Sequence, residues 1–207
     1  MEQDKSKTFG ILLYAIVIGF LIISVINPHD FFTWVLEVSW IIVGLGVLAV
    51  LNFKGKSPSR LLSMCMTIHA VILIYGAWYT YELTPLGEYF SELFGSSRNH
   101  YDRLGHFAQG FFPAVLMREL LIRNKVVNGR YWREGLIFAG IMAFTAIFEI
   151  IEFGAALAFG NDASAYLGSQ GDIWDAQWDM VLCAVGGIAS IALLANWHEK
   201  LLKRSFA

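Results

Sequence analysis

The chain has 207 residues, 57% of them hydrophobic and only 15% charged, with a formal net charge of −2. A soluble domain carries about a quarter charged residues, so this composition excludes an ordinary soluble protein and indicates several crossings of a lipid bilayer. No basic recognition stripe or nucleic-acid motif is present, which leaves no nucleic acid among the expected partners.

Residues 1–9 are polar and mixed in charge, and the apolar run Ile11 to Ile26 follows. That run is long for a signal core and has no small-residue cleavage site after it, so it reads as a first membrane helix over about 10–26. A second helix is expected over 31–51, with Glu37 inside it and Gly44 and Gly46 allowing close packing. The link Lys54-Gly55-Lys56-Ser57-Pro58-Ser59-Arg60 breaks the pattern. A third helix covers 61–81, with His69 in its middle as a packing and hydrogen-bonding residue. Leu86 to Phe94 has the pattern of a short interfacial helix within a longer connection, 84–99. The fourth helix, 101–122, is less apolar than the others and is followed by a basic link, Arg123 to Arg133. The fifth covers 135–159, the polar loop Gly160 to Gly171 follows, and the sixth covers 172–197 before a basic tail. Trp34, Trp40, Trp78, Tyr79, Tyr81, Trp132, Trp174 and Trp178 mostly suit the interface belts. Gly186 and Gly187 suit close helix packing, and Cys65 and Cys183 lie in apolar runs with no disulfide framework.

The expected fold is therefore all-α, one integral membrane domain over 1–207 built as a bundle of six transmembrane helices. An even number of crossings puts both termini on one side. That side holds thirteen of the fifteen lysines and arginines, all but Arg98 and Arg103, which makes it cytoplasmic.

With this topology the membrane-embedded ionisable groups fall in one stratum, the outer half. The fourth helix enters with Tyr101-Asp102-Arg103-Leu-Gly-His106, and Asp102 and His106 are one turn apart on one face, with Gln109 and Gly110 a turn deeper. The fifth brings Glu149 and Glu152, on a face shared with Thr145. The sixth brings Asp172, Asp175 and Asp179, spaced i, i+3, i+7 on one face. Asp179 lies roughly 10 Å further in than Asp172 at about 1.5 Å per residue. The inner half is nearly free of such groups, His69 being the nearest exception. Carboxylates inside a bilayer are costly unless paired, hydrated or bound to a cation.

A histidine with several carboxylates can hold a divalent metal ion that activates water or polarises a phosphoryl or carbonyl oxygen. His106, Glu149, Glu152, Asp175 and Asp179 are the candidate metal ligands. With Asp102, which orients His106 or joins the ligands, they are also the candidate catalytic set. Without a metal, the same acids would share protons and serve as general acid or base. Arg98 and Arg103 are candidates for holding an anionic headgroup. The spacing matches no established metal signature, and an internally satisfied network in which Arg103 pairs with an aspartate is the alternative.

The stretches Tyr101-Asp102-Arg103-Leu-Gly-His106-Phe107, Glu149-Ile-Ile-Glu152 and Gly171-Asp172-Ile-Trp-Asp175-Ala-Gln-Trp-Asp179-Met180 resemble the YjdF-type bacterial inner-membrane family, a domain of unknown function, over nearly the whole chain. More distantly, Asp102, Arg103, His106, Glu149 and the Asp175–Asp179 pair follow the order found in VanZ-like membrane proteins. This chain differs in having Arg103 where those proteins typically have Lys, and no clear Asn after the last aspartate pair. The resemblance implies a multi-pass protein of the bacterial inner membrane, an envelope role and a shared site. It names no substrate.

The leading expectation is a membrane-embedded enzyme acting by hydrolysis or group transfer on a lipid or lipid-linked envelope substrate at the outer leaflet, with the bilayer as its surroundings and the oligomeric state open. A proton-coupled transporter and a non-catalytic binding or scaffold protein stay open beside it.

Overall fold

The structure, a computed structural model, describes residues 2–160 and 164–206, with side chains described for 8–160 and 166–203. Lys5, Lys7 and Arg204, which contribute to the charge asymmetry, and residues 161–163 of the expected outward loop lie outside the described side chains. Among the described residues every regular element is a helix: α1 (Glu2–Ser24), α2 (Phe31–Phe53), α3 (Arg60–Trp78), α4 (Pro85–Phe94), α5 (Tyr101–Arg123), α6 (Arg130–Phe159), α7 (Ser164–Leu167) and α8 (Asp175–Phe206).

The ends follow local chemistry. Asp30 caps α2, its Oδ1 accepting the Thr33 N–H at 2.6 Å, and Ser59 caps α3, its Oγ accepting the Leu62 N–H at 3.2 Å. Pro85 occupies the first turn of α4 and Gly95, with φ of 65°, closes it. The third helix stops at Trp78, three residues earlier than hydropathy suggests. Thr80 and Tyr81 both take left-handed φ angles, 54° and 55°, which no helix can continue through. The last helix begins at Asp175, so Asp172 precedes it in a turn and Asp179 lies one turn inside α8, not two turns inside a helix starting at Asp172.

Four helices are long and apolar enough to cross a membrane: α2, α3, α6 and residues 175–203 of α8. The apolar part of α1, Thr8–Ser24, is shorter, and α5 carries Asp102, Arg103, Arg118, Glu119 and Arg123 along its 23 residues. Large apolar side chains such as Phe53, Ile150, Leu157 and Leu193 stand outward, as they do on helices solvated by acyl chains.

The chain divides into two compact units, one of residues 1–102 and 156–170, the other of 103–155 and 171–207. In the first, α1 packs on α3, and Val17, Ile41 and Ile74 form a core with Leu21, Leu45, Ala70 and Leu73 around it. Trp34 belongs to a second cluster with Val38 and Ala77, and its indole N–H donates to Ser24 Oγ at 3.0 Å. It is thus a core residue and not part of an interface belt, whereas Trp132, Trp174 and Trp178 are exposed. His69 is buried in α3. Gly44 and Gly46 face open space among the described residues, so they do not serve helix packing.

In the second unit the helical glycines do serve it. A Cβ on Gly110 of α5 would collide with the Cys183 carbonyl oxygen of α8, and one on Gly186 would collide with the Phe107 carbonyl oxygen. The two backbones approach that closely only because both positions lack side chains. Ala114, Ile137, Ile141 and Cys183 form the apolar core of this unit, with Met117, Leu121 and Ile191 packed against it. Cys183 and, in the other unit, Cys65 are buried free thiols.

Candidate functional site

The second unit gathers most of the expected site residues. The close α5–α8 contact at Gly110 and Gly186 brings the first turns of those helices together, and α6 lies alongside with Phe148 edge-on to His106, ring centroids 6.1 Å apart. His106 is buried, 5% exposed, between two carboxylates. Its Nδ1 stands 3.9 Å from Glu149 Oε1 and its Nε2 stands 3.9 Å from Asp179 Oδ2. The two nitrogens lie at different points of the ring edge, so Glu149 and Asp179 approach one imidazole from different directions. Asp175, the first residue of α8, is also buried, and its charge reaches His106. Glu152 is buried one turn beyond Glu149 on α6.

Arg103 Nη2 forms an ion pair with Asp172 Oδ2 at 2.9 Å, and its guanidinium carbon lies 5.9 Å from the centre of the Trp178 ring. The other oxygen of Asp172 accepts the Trp174 N–H at 2.9 Å, which starts the turn into α8. Asp172 therefore serves the helix entry and the arginine together.

Asp102 and Arg98 lie in the first unit. Asp102 lies in the first turn of α5, one turn before His106 along the same helix. The carboxylate of Asp102 lies beside Gly168, where a Cβ would come within 3.8 Å of it. Buried Glu37 of α2 feels the charge of Asp102, and the hydroxyl of Tyr81 lies within hydrogen-bonding reach of Glu37. Arg98 Nη1 donates to the Ser169 carbonyl at 2.6 Å and Nη2 to the Gly168 carbonyl at 3.4 Å. Asn99 and Gln170 bond reciprocally: the Asn99 N–H donates to Gln170 Oε1 at 3.0 Å, and Gln170 Nε2 donates to the Asn99 carbonyl at 2.9 Å. These four bonds clasp the loop preceding α8 to the connection preceding α5.

The sequence reading missed a second buried charge cluster, at the other end of the second unit. Arg118, 2% exposed, makes a two-pronged ion pair with Glu134, one prong at 2.7 Å, and reaches Glu199 at 3.4 Å. Arg133 bonds the same Glu199 oxygen at 2.5 Å. Fully buried His198 Nε2 lies 3.0 Å from Glu119 Oε2, and Arg123 holds Glu119 Oε1 at 2.7 Å. The half of the bundle expected to be nearly free of ionisable groups thus contains three acids, three arginines and a histidine. The signal is present as Arg118-Glu119, Arg133-Glu134 and His198-Glu199, acid–base neighbours at the edges of three apolar runs.

Residues 9–200 match the family described as predicted membrane protein, DUF2238. Over 184 residues, 89% of this chain and 88% of the relative, the sequence is 40% identical to inner membrane protein YjdF of Escherichia coli strain K12. No solved structure matches the chain.

Proposed function

We propose, for a chain that belongs to the DUF2238 family of predicted membrane proteins, that the second unit is a membrane-embedded enzyme centre. It acts by hydrolysis or group transfer on a lipid or lipid-linked cell-envelope substrate at the outer leaflet, with six crossings and both termini cytoplasmic. The observation that carries the reading is the buried His106 imidazole with a carboxylate oxygen 3.9 Å from each nitrogen. That spacing is wider than a hydrogen bond. Two ligand atoms about 2.0–2.2 Å from one tetrahedral divalent ion stand about 3.3–3.6 Å apart, so a shift of a few tenths of an ångström brings Nε2 and Asp179 Oδ2 to that separation.

Because the two nitrogens face apart, a single ion takes Nε2 together with Asp179. Glu149 then accepts from Nδ1–H and fixes the ring, the usual arrangement behind a metal-bound histidine. Asp175, one turn before Asp179 on α8, supplies a further oxygen. Glu152 is the reserve acid or base. Such an ion polarises a phosphoryl or carbonyl oxygen and lowers the pKa of a bound water. Arg103 exchanges Asp172 for an anionic headgroup. Arg98, whose guanidinium already serves two loop carbonyls, is left to that task.

Elemental analysis of the purified protein tests the reading. We expect one equivalent of Zn²⁺ or Mn²⁺ retained after loading, and loss of that equivalent in His106→Ala. No stoichiometric metal after loading with Zn²⁺, Mn²⁺, Mg²⁺ or Ca²⁺ overturns the metal-assisted form.

A second reading, a proton-coupled transporter, is favoured by one observation: α5 and α8 carry a second buried histidine–carboxylate pair, Glu119 with His198. Against it, the apolar core around Ala114, Ile137, Ile141 and Cys183 belongs to the same helices between the two polar strata. Proton flux in proteoliposomes that disappears in Glu119→Gln would favour the transporter.

A further inference from the structure

One helical turn beneath the His106, Glu149 and Asp179 layer, each of the three helices places another polar side chain. Gln109 follows His106 by three residues on α5, Thr145 precedes Glu149 by four on α6, and Cys183 follows Asp179 by four on α8. All three are buried: Gln109 is 6% exposed, Thr145 and Cys183 are 0%. The level is fixed by backbone contact, since Gly110, next to Gln109, abuts the Cys183 carbonyl, and by the Cys183 thiol lying beside Thr145.

Two donors at this level meet no strong acceptor, the Thr145 hydroxyl reaching only the Cys183 thiol. Gln109 Nε2 and the Thr145 hydroxyl find no nitrogen or oxygen partner among the described residues. The neighbouring thiol is only a weak hydrogen-bonding group. A threonine inside a helix commonly returns its hydroxyl to the carbonyl four residues earlier, and Thr145 does not. A buried donor without a partner carries its full desolvation penalty, and native structures meet such groups with an ordered water where the site is polar.

We propose that Gln109 and Thr145 form a donor shelf under the His106–Glu149–Asp179 layer that binds one water molecule and presents it to the carboxylates above. Gln109 Nε2 and Thr145 Oγ1 donate to the water oxygen. Its own protons point up to Glu149 and Asp179, so it bridges the two carboxylates from below. Gln109 and Thr145 are positioning residues, and the proposal deepens the enzyme reading on which it rests by naming what holds its two carboxylates in register.

The test is a Co²⁺ titration, followed by visible absorption, and a melting curve on full-length protein in detergent. The variants are Thr145→Val, Gln109→Leu and Thr145→Ser. Thr145→Val keeps the shape and removes the hydroxyl. We expect it, and Gln109→Leu, to weaken Co²⁺ about tenfold and to change the absorption band, as loss of an outer-shell partner does. Both should also lower the melting temperature by about 3 °C, while Thr145→Ser stays close to wild type. If the donors are idle, replacing them with apolar isosteres removes a penalty, and Thr145→Val melts at or above wild type with an unchanged Co²⁺ spectrum. That result overturns the shelf while leaving the metal reading standing. Should wild type bind no Co²⁺, the metal reading fails by itself. The shelf is then judged by melting alone: loss in Thr145→Val restored in Thr145→Ser upholds it, and equal or higher melting in Thr145→Val refutes it.

Discussion

Asp172 and Asp179 belong to one short stretch but meet different surroundings. Asp172 is partly exposed, pairs with Arg103 and starts the turn into α8, so its replacement costs what a lost cap costs, about 0.5–2 kcal/mol. Asp179 is 3% exposed and faces His106 Nε2. If the layer holds an ion, a chelator lowers the melting temperature of wild type and leaves Asp179→Asn nearly unchanged. If the acids only repel one another, the chelator does nothing to wild type, and Asp179→Asn melts higher because one buried charge is gone. Melting curves of both proteins with and without chelator separate the two cases. At this scale the sequence was informative where depth and helical register decide the outcome. Asp102, His106, Glu149 and Asp179 were singled out because ionisable groups in apolar runs are conspicuous. Arg118, Glu119 and His198 were not, because a charge at the edge of an apolar run looks the same whether it faces water or a partner on a neighbouring helix. Tyr81 suits an interface belt by its place in the sequence yet is buried: its reach to Glu37 depends on two consecutive left-handed residues that nothing in Thr80-Tyr81 announces.

Between elements, glycine decides how near two helices come. Gly186 and Gly44 look alike in sequence, small residues in apolar runs, yet only Gly186 meets a neighbouring backbone. Gly186→Ala forces α8 away from Phe107 and should cost about 1–3 kcal/mol, loosening the layer that holds His106. Gly44→Ala fills open space and removes a flexible residue from a helix, so it should be neutral or stabilising by up to about 1 kcal/mol. Thermal unfolding of the two variants in the same detergent checks both, and equal losses would mean that the α5–α8 approach is not what holds the site. Helix existence was legible because apolar runs of this length leave few alternatives, whereas helix ends depended on caps and turns. Asp30 and Ser59 announce themselves as capping residues, but the stop at Trp78 and the start at Asp175 come from backbone angles and from an aspartate spending its oxygens on a turn.

For the molecule as a whole, the expectation of six crossings with cytoplasmic termini rests on the distribution of lysine and arginine. Four helices meet the length and apolarity of a membrane span without qualification. α5 falls short because its two ends carry the charged residues of both polar strata. Reporter fusions test the arrangement: a cytoplasm-active reporter should work after residue 204 and after Lys56, and an outward-active one after Ser96. Outward activity after residue 204 would refute it.

The two polar strata of the second unit also differ in how their charges meet. At the Arg118 end, short guanidinium–carboxylate bonds tie α5, α6 and α8 to one another through Glu134, Glu199 and Glu119. At the His106 end the imidazole stands 3.9 Å from Glu149 and from Asp179, and the Arg103–Asp172 ion pair at 2.9 Å ties α5 to the turn before α8. Pro113 removes one backbone hydrogen bond from α5 between the two strata. An ion bound at the His106 layer would therefore be felt at one end of α5 and not at the other: adding Zn²⁺ or Mn²⁺ in detergent should slow amide exchange around His106 and Asp179 and leave exchange around Glu119 and His198 as it was.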